Sequence, residues 1–243
     1  MSVNIQKAMV MGAGLGTRMK PLTDTMPKPL VPLAGRTLID HALDRLAEAG
    51  VGEAIVNAHY LAEQLAVHVK RRAAKGRAPY ITMSDERKKL LDTGGGIKHA
   101  LPLLGKEPII TFNSDSVWVE DGASALGSLM EAFDPERMDA LLLLTDTQSS
   151  IGFVGNGDFE MAGDGRLARR RPDATAPYVF MGVQIIKPML FADGPKEPFS
   201  TNLIWDRLIA EGRLYGHLLQ GRWMHVGTPA DRDEAEAFLK ARG

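Results

Sequence analysis

Cysteine is absent from the 243-residue chain, which excludes disulfide bonds, thiolate metal sites and a cysteine nucleophile. No apolar run approaches the ~20 residues that a membrane-spanning helix needs. The polar start of the chain, residues 1–7, leads directly into an apolar segment and lacks the pattern of a secretory signal peptide. Together these absences favour a protein of the reducing cytoplasm that has no membrane partner.

The chain also has no large excess of positive or negative residues, and its formal net charge is −1. No global basic field is therefore expected to attract nucleic acid. Basic residues do cluster at residues 71–77, 87–89 and 169–171, and the first two clusters are typical of solvated surfaces. With 44% hydrophobic and 24% charged residues, the composition is that of an ordinary globular protein. The sequence leaves open whether it is a monomer or a small homo-oligomer.

Short apolar segments alternate with amphipathic segments through the first half of the chain. Buried strands are predicted at residues 7–11, 54–58, 79–83, 108–112 and 140–145, and helices at residues 38–49, 61–74 and 97–104. Repeated strand–helix alternation predicts an α/β fold with a mostly parallel sheet and helices on both faces.

The pattern changes after about residue 150. Residues 158–161 and 166–169 flank Gly163-Asp164-Gly165, which indicates a hairpin, and strands are predicted at residues 178–186, 214–219 and 223–226. Thr228 and Pro229 begin the last helix, with Asp231 at the capping-box position. This half is predicted to be antiparallel and lid-like. We expect one domain over residues 1–243, with halves at about 1–150 and 151–228 and a C-terminal helix at 229–241.

A loop rich in glycine and proline, residues 12–35, follows the first strand. It contains the segments Gly12-Ala13-Gly14-Leu15-Gly16-Thr17-Arg18 and Pro27-Lys28-Pro29-Leu30. Glycines let backbone N–H groups approach an anion closely, and Arg18 and Lys28 add positive charge. The prolines stiffen the loop, so little ordering is needed on binding. The loop is predicted to hold a triphosphate.

Two better-known phosphate loops fit this segment poorly. A P-loop requires Gly-Lys-Ser/Thr where Gly16-Thr17-Arg18 stand, and the dinucleotide fingerprint requires a small residue in place of Thr17. The dinucleotide fingerprint also leads directly into a helix, whereas this loop continues through several prolines.

Residues 12–30 resemble the signature of the sugar-1-phosphate nucleotidyltransferases, Leu-Ala-Ala-Gly-x-Gly-Thr-Arg-Met followed by Pro-Lys-Pro. The resemblance continues through residues 92–96, 113–115 and 223–228, so it covers nearly the whole chain. It is strongest to the short N-acetylmuramate-1-phosphate uridylyltransferases, with short mannose-1-phosphate guanylyltransferases second. It implies a three-layer α/β fold around a mixed sheet. The implied reaction transfers a nucleoside monophosphate from a nucleoside triphosphate to a sugar 1-phosphate and releases pyrophosphate.

The same resemblance implies roles for individual residues. Arg18 would hold the triphosphate and the departing pyrophosphate, and Lys28 would lie near the α-phosphate and the sugar phosphate. Contacts to the nucleotide are implied for Gly12, Ala13, Gly14, Gly16, Thr17, Thr93, Gly94 and Gly95. Contacts to the sugar phosphate are implied for Gly182 and Arg171, although a solvated hairpin edge is an equally good interpretation of the arginine cluster. The first half of the chain would bind the nucleotide and the second half the sugar.

A metal site is predicted at Asp115, which follows a strand at the carboxyl edge of the parallel sheet. A carboxylate there suits Mg²⁺. Relatives usually supply a second carboxylate in Trp-x-Asp-Val-Gly-Thr, but here His225 has that position. Imidazole favours Mn²⁺, Co²⁺ or Zn²⁺ over Mg²⁺. Mg²⁺ is thus the expected cofactor, and Mn²⁺ or Co²⁺ would be preferred if His225 binds the metal. The alternatives are that His225 orients a metal-bound water or only packs against its neighbours.

The resemblance favours UTP and N-acetylmuramic acid 1-phosphate as substrates. The lactyl carboxylate of that sugar needs a cationic or amide partner, which the cluster at residues 169–171 offers. The alternatives are GTP with mannose 1-phosphate, and UTP or dTTP with another hexose 1-phosphate. Two hypotheses come from other functional classes. A catalytically silent regulator that binds nucleotide sugars is supported only by His225, which replaces the carboxylate of the family pattern. A phosphocholine-type cytidylyltransferase would need an aromatic cage, and the three Trp and four Tyr are scattered.

Overall fold

The computed structural model describes residues 4–242. The strands are β1 (Lys7–Met11), β2 (Pro32–Leu33), β3 (Arg36–Thr37), β4 (Glu53–Ala58), β5 (Tyr80–Asp85), β6 (Ile109–Asn113), β7 (Ser116–Glu120), β8 (Ala140–Asp146), β9 (Phe159–Met161), β10 (Leu167–Arg169), β11 (Tyr178–Ile186), β12 (Leu214–Leu218) and β13 (Gly221–His225). The helices are α1 (Leu38–Glu48), α2 (Ala62–Ala74), α3 (Asp92–Leu104), α4 (Ala125–Ala132), α5 (Asn202–Ala210) and α6 (Pro229–Arg242). None of these helices is long and apolar enough to cross a membrane.

A nine-stranded sheet lies at the centre of the fold. Its strands follow the order β10-β9-β11-β6-β1-β4-β5, while β8 pairs with β11 and β12 pairs with β8. The pairs β1–β4, β1–β6, β4–β5 and β8–β12 are parallel, whereas β11 runs antiparallel to both β6 and β8. The prediction of a mostly parallel mixed sheet is therefore confirmed.

The two faces of the sheet bury separate hydrophobic clusters. In β1, Ala8 and Val10 pack into one cluster with residues of α1, α2 and α4. Met9, which points the other way, packs into a second cluster with residues of α3 and α5. Because successive side chains of a strand alternate between faces, this division shows a sheet between two helical layers. Helices on both faces are confirmed.

Of the strands predicted to be antiparallel, β9, β10 and β11 join the central sheet, β12 joins it parallel to β8, and β13 lies outside it. β9 and β10 form the predicted hairpin, and β9 continues the sheet beside the first residue of β11. The last helix begins as predicted, because the Thr228 N–H donates to Asp231 Oδ2 at 2.8 Å and the Asp231 N–H donates to Thr228 Oγ1 at 3.2 Å. This reciprocal pair is a capping box.

Two local features differ from the sequence prediction. β7 was not predicted, and it pairs with β13 in a two-stranded antiparallel sheet in which Ser116 faces His225. Apolar periodicity predicts α3 only near residues 97–104, whereas the helix begins at Asp92, in the glycine motif that is itself a predicted helix start. Its first turns contain Gly94, Gly95 and Gly96, which are poor helix formers and show no apolar periodicity. The glycines are buried, and a Cβ on Gly94 would lie 2.6 Å from the Phe199 ring.

Candidate active site

A cavity of about 520 Å³, here named the first chamber, lies where β1, β4 and β6 end. Of the residues predicted from the sequence, those lining it are Gly12, Ala13, Gly14, Gly16, Thr17, Arg18, Lys28, Thr93 and Asp115. The carboxyl ends of parallel strands meet at one edge of a sheet, where such folds bind ligands. The structure therefore brings the predicted phosphate loop, the start of α3 and the predicted metal carboxylate together.

Packing explains two of the loop glycines. A Cβ on Gly12 would lie 2.8 Å from the carbonyl oxygen of Asn57, so only glycine fits there. Gly16 has a φ of 64°, and its Cβ would lie 2.9 Å from Thr23 Cγ2. Nothing lies within 4 Å of a Cβ built on Gly14, which is exposed. The backbone at Gly14 is thus open to a ligand, while Gly12 and Gly16 shape the loop around it.

The two cations of the loop have different surroundings. Lys28 Nζ donates to Asp115 Oδ2 at 2.6 Å, and both side chains are mostly buried, with 13% and 21% of their surfaces exposed. Arg18 lies on a single 3₁₀ turn, Thr17–Met19, and is exposed. Lys28 is therefore held by an anion of the protein, whereas Arg18 extends into the open part of the first chamber.

Asp115 and His225 lie beside each other at the ends of adjacent strands. His225 Nε2 is 3.6 Å from Asp115 Oδ2, and the Val226 N–H donates to the Asp115 carbonyl at 3.0 Å. Burial would raise the pKa of Asp115, but the positive charge of Lys28 and the nearby imidazole of His225 outweigh it. The pKa of Asp115 therefore lies well below its usual range, and Asp115 is a carboxylate at neutral pH.

The imidazole of His225 is oriented by a chain of contacts through Trp223. The two rings stack with centroids 5.5 Å apart and planes 11° apart. Trp223 Nε1 donates to Ser116 Oγ at 2.8 Å, and Ser116 Oγ donates to the Met181 carbonyl. Because Ser116 follows Asp115 directly, the same contacts fix the positions of the carboxylate and the imidazole relative to each other.

The donor atoms of Asp115 and His225 fit a shared divalent cation. Neighbouring donors of an octahedral ion, bound at about 2.1 Å and 90° to each other, lie about 3.0 Å apart, so the observed 3.6 Å between Nε2 and Oδ2 would shorten by about 0.6 Å on binding. Within residues 4–242, no group of three or more His, Cys, Asp or Glu side chains is arranged to hold a metal ion. A cation here would take its remaining ligands from phosphate oxygens and water.

A second chamber of about 260 Å³ lies beside the first, between β6, β11 and α5. Met11, Thr93 and Asn113 line both chambers. The Thr201 N–H donates to Thr93 Oγ1 at 2.9 Å, and the Gly95 N–H donates to the Phe199 carbonyl at 3.0 Å. The start of α3 and the segment before α5 thus form one wall, and the two chambers lie directly beside each other.

Comparison with known proteins accords with this arrangement. The family model described as Nucleotidyl transferase matches residues 7–160. The chain belongs to the nucleotidyl transferase family. N-acetylmuramate alpha-1-phosphate uridylyltransferase of Caulobacter vibrioides is 50% identical over 232 residues, 96% of each chain, and that of Neisseria meningitidis is 34% identical over 97% of this chain and 99% of its own. This protein is therefore a sugar-phosphate nucleotidyltransferase.

More distant relatives share the fold of this nucleotidyltransferase. Mannose-1-phosphate guanylyltransferase catalytic subunit beta of Danio rerio is 28% identical over 93% of this chain and 62% of its own. The structure of UDP-glucose pyrophosphorylase with UDP-glucose has a TM-score of 0.80 at 19% identity, and covers 99% of this chain and 100% of its own. The three-layer α/β fold is thus the fold of known sugar nucleotidyltransferases.

The arginine cluster of the nucleotidyltransferase divides into three different environments. Arg169 lines the second chamber. Arg170 donates to the carbonyl groups of residues 157, 171, 172 and 174 at 2.9–3.0 Å and thereby holds that loop together. Arg171 is exposed and is not among the residues that line either chamber. The sugar-phosphate contact at Arg171 stays a prediction, and the structure favours Arg169 as the ligand-facing arginine.

Gly182, the other predicted sugar-phosphate contact, lies at a bulge in β11. The pairing register with β8 shifts between Phe180 and Val183, and Gly182 has a φ of 84°. Its Cβ would lie 2.8 Å from the Cβ of Asn113. The glycine therefore supports Asn113, a residue of the wall between the chambers, and its own contact to a sugar phosphate stays a prediction.

Asn57 and Glu86 are polar residues of the first chamber that were not predicted from the sequence. The Gly12 N–H donates to Asn57 Oδ1 at 2.7 Å, and Asn57 Nδ2 donates to Glu86 Oε1 at 2.7 Å. Asn57 and Glu86 line the chamber where β4 and β5 end. The argument that identified Asp115, a polar residue at the carboxyl end of a strand, applies to both and would have found them.

Burial disfavours the ionised form of the Glu86 side chain. Only 2% of its surface is exposed, and Oε2 has no partner of normal hydrogen-bond geometry within the described residues. Burial raises the pKa of Glu86, although the hydrogen bond from Asn57 acts in the opposite direction. Because the pKa in the folded protein exceeds that of an unfolded glutamate, about 4.3, stability falls as the pH rises from that value through the folded pKa.

We expect Glu86→Gln to raise the melting temperature at pH 8 by about 2–4 °C, since it removes a buried charge worth ~1 kcal/mol or more. The difference should shrink as the pH approaches 4, where Glu86 itself is neutral. Calorimetric melting at both pH values measures it, with Glu107→Gln at an exposed position as the control. An equal loss of stability at both pH values would contradict the assignment of a charged, destabilising Glu86.

Proposed function

We propose that this nucleotidyltransferase transfers UMP from UTP to N-acetylmuramic acid 1-phosphate, giving the UDP-sugar and pyrophosphate. The observation that carries the proposal is the 50% identity to the Caulobacter vibrioides uridylyltransferase over 96% of both chains. The two adjacent chambers, which share Met11, Thr93 and Asn113, support it, because a nucleotide and a sugar phosphate need adjacent sites. The reaction belongs to the recycling of cell-wall sugars in the cytoplasm, where UTP is available.

In the proposed reaction, an oxygen of the sugar phosphate attacks the α-phosphorus of UTP in line. The new P–O bond forms as the bond to the pyrophosphate group breaks, so no covalent enzyme intermediate is needed. Catalysis then consists of positioning and neutralisation of charge. Arg18, in the open part of the first chamber, would hold the triphosphate and the departing pyrophosphate. Lys28 would neutralise charge at the α-phosphate, and the backbone N–H at Gly14 would hold a phosphate oxygen.

We further propose that Asp115 and His225 hold a divalent cation in this reaction. The 3.6 Å between their donor atoms and the ionised state of Asp115 support this assignment. A bound cation would neutralise phosphate charge and fix the phosphate geometry. With one carboxylate and one imidazole in place of two carboxylates, the site carries less negative charge and favours Mn²⁺ or Co²⁺ over Mg²⁺.

We expect His225→Asp to shift the preference for the metal toward Mg²⁺. The ratio of the Mn²⁺ and Mg²⁺ concentrations that give half-maximal activity should change by about 10-fold, since a second carboxylate replaces the softer nitrogen donor. His225→Ala should weaken the dependence on both ions. The control is His99→Asp at an exposed position of α3. An unchanged ratio in His225→Asp would show that His225 only packs against Trp223.

Release of pyrophosphate across a panel of substrates tests the proposed function. Four nucleoside triphosphates are combined with the 1-phosphates of N-acetylmuramic acid, N-acetylglucosamine, glucose and mannose. The highest kcat/KM is expected for UTP with N-acetylmuramic acid 1-phosphate. A higher value for GTP with mannose 1-phosphate would overturn the choice of substrates. No release from any pair, with nucleotide binding demonstrated, would favour a silent regulator.

A further inference from the structure

Arg169 is, among the residues that the structure describes, the one basic side chain that lines the second chamber. It does not line the first chamber, so it is separate from the cations of the phosphate loop. The position of Arg169 in β10 explains where its side chain points. Residues 167 and 169 share one face of the strand, and Leu167 is buried in the hydrophobic cluster on that face. Residues 168 and 170 point the other way.

The guanidinium of Arg169 is fixed before any ligand binds. It lies 5.0 Å from the centre of the Phe159 ring and 5.4 Å from that of the Trp205 ring. Its Nε donates to Asp206 Oδ1 at 2.8 Å, and Nη2 donates to Asn202 Oδ1 at 2.9 Å. A planar group held by two rings and two hydrogen bonds loses little freedom when a ligand arrives.

One nitrogen of this guanidinium is left for a ligand. Within residues 4–242, Nη1 has no hydrogen-bond partner, whereas Nε and Nη2 are both used. Asp206, the carboxylate that pairs with Arg169 in the structure, has 62% of its side chain exposed. Water therefore screens the attraction between the two side chains. Asp158, the carboxylate that lines the second chamber, accepts the Phe180 N–H at 2.9 Å. Arg169 therefore retains both the charge and the donor to bind a further anion.

We propose that Arg169 binds a carboxylate on the acceptor sugar and thereby selects an acidic sugar phosphate over a neutral one. This inference rests on the proposed function, because it assigns the second chamber to the sugar. The 1-phosphate of the acceptor must reach the first chamber, where the reaction takes place. A second anionic group on the same sugar then meets Arg169, and a guanidinium is the side chain best suited to hold a carboxylate. A neutral hexose leaves Nη1 without an anionic partner.

The test uses two acceptors that differ only by the lactyl ether, N-acetylmuramic acid 1-phosphate and N-acetylglucosamine 1-phosphate. For each protein, the kcat/KM for the first is divided by that for the second, with UTP saturating. Arg169→Met, which keeps an apolar chain against the two rings, should lower this ratio by about 30-fold or more. The loss should fall on the KM of the acidic sugar, and turnover of the neutral sugar should change less than about 3-fold.

Arg166→Met is the matched control, since Arg166 belongs to the same hairpin, is exposed and lines neither chamber; it should leave the ratio unchanged. Arg169→Lys keeps the charge but loses the planar fork, and its ratio should fall by about 10-fold. Arg169→Lys also carries the test should Arg169→Met fail to fold. Melting temperatures of all variants separate a loss of sugar binding from a loss of the link between β10 and α5.

The outcomes distinguish this inference from the proposed function. If the wild-type protein prefers a neutral acceptor, both are overturned. If the wild type prefers the acidic acceptor and the Arg169 variants keep that preference, only the role of Arg169 is overturned. An equal fall in kcat/KM for both acceptors, with a lower melting temperature, would also overturn it and make Arg169 a purely structural link.

Discussion

Replacing Lys28 by Ala should lower kcat/KM by about 10²-fold or more, because in the proposed reaction this mostly buried ammonium group neutralises charge at the α-phosphate. Lys28 Nζ lies 2.6 Å from Asp115 Oδ2, so the change also leaves that carboxylate without its cation. We expect the loss to appear mainly in kcat, measured as the initial rate of pyrophosphate release at saturating substrates.

Lys20→Ala is the control for Lys28→Ala. Lys20 belongs to the same loop, but 61% of its side chain is exposed and it pairs with Asp24 at 3.1 Å. Exposed pairs of this kind contribute little, so both activity and melting temperature should be nearly unchanged. Comparable losses of activity in the two variants would show that the loop needs positive charge in general and would contradict a specific role for Lys28.

Arg18→Ala should also lower kcat/KM by about 10²-fold or more, and it should leave the melting temperature unchanged. Arg18 is exposed and is absent from the hydrogen bonds and ion pairs found within the described residues, so the fold does not depend on it. Its removal should raise the KM for the nucleoside triphosphate and weaken inhibition by pyrophosphate, since both ligands lose a cationic partner. Steady-state kinetics with each ligand varied in turn measures both effects.

Arg242→Ala at the end of α6, also exposed, is the control for removal of a surface arginine. It should change neither KM nor pyrophosphate inhibition. A lower melting temperature with normal turnover in Arg18→Ala would make Arg18 a structural residue of the loop and would contradict its assignment to the triphosphate.

Much of the candidate site follows from where strands end. Gly12 and Asp115 each come shortly after an apolar strand of the central sheet, and the carboxyl ends of parallel strands meet at one edge. The sequence therefore predicts the side chains that surround the first chamber without any knowledge of distances. It does not predict that Lys28 and His225 both approach the same oxygen of Asp115, because that depends on pairing between β7 and β13.

The arginine cluster shows that a sequence pattern does not tell which way each side chain points. Three consecutive arginines form a single basic block in the sequence, but a strand turns alternate residues to opposite faces. Arg169 points toward α5 and Arg170 toward the following loop. Strand alternation alone, applied to the predicted hairpin, separates these roles. The carbonyl groups that Arg170 binds come from folding of the loop and could not be predicted.

The start of α3 is given by the glycine motif at residues 92–96 and not by the usual helix signals. Helix prediction relies on apolar periodicity and propensity, and residues 94–96 are glycines that offer neither. They are present because Phe199 and Glu86 pack where their side chains would be. A requirement for close approach between distant segments has no local signal, so tertiary packing overrides the low helix propensity of these residues.

A molecule that fills both chambers at once behaves as two ligands joined by a short linker. Met11, Thr93 and Asn113 belong to both chambers, so little linker is needed to cross from one to the other. Binding of one half then raises the effective concentration of the other half, typically to the mM range for short linkers. An unreactive compound that joins a nucleoside to a sugar through a diphosphate mimic should therefore inhibit at concentrations far below those needed for either half alone.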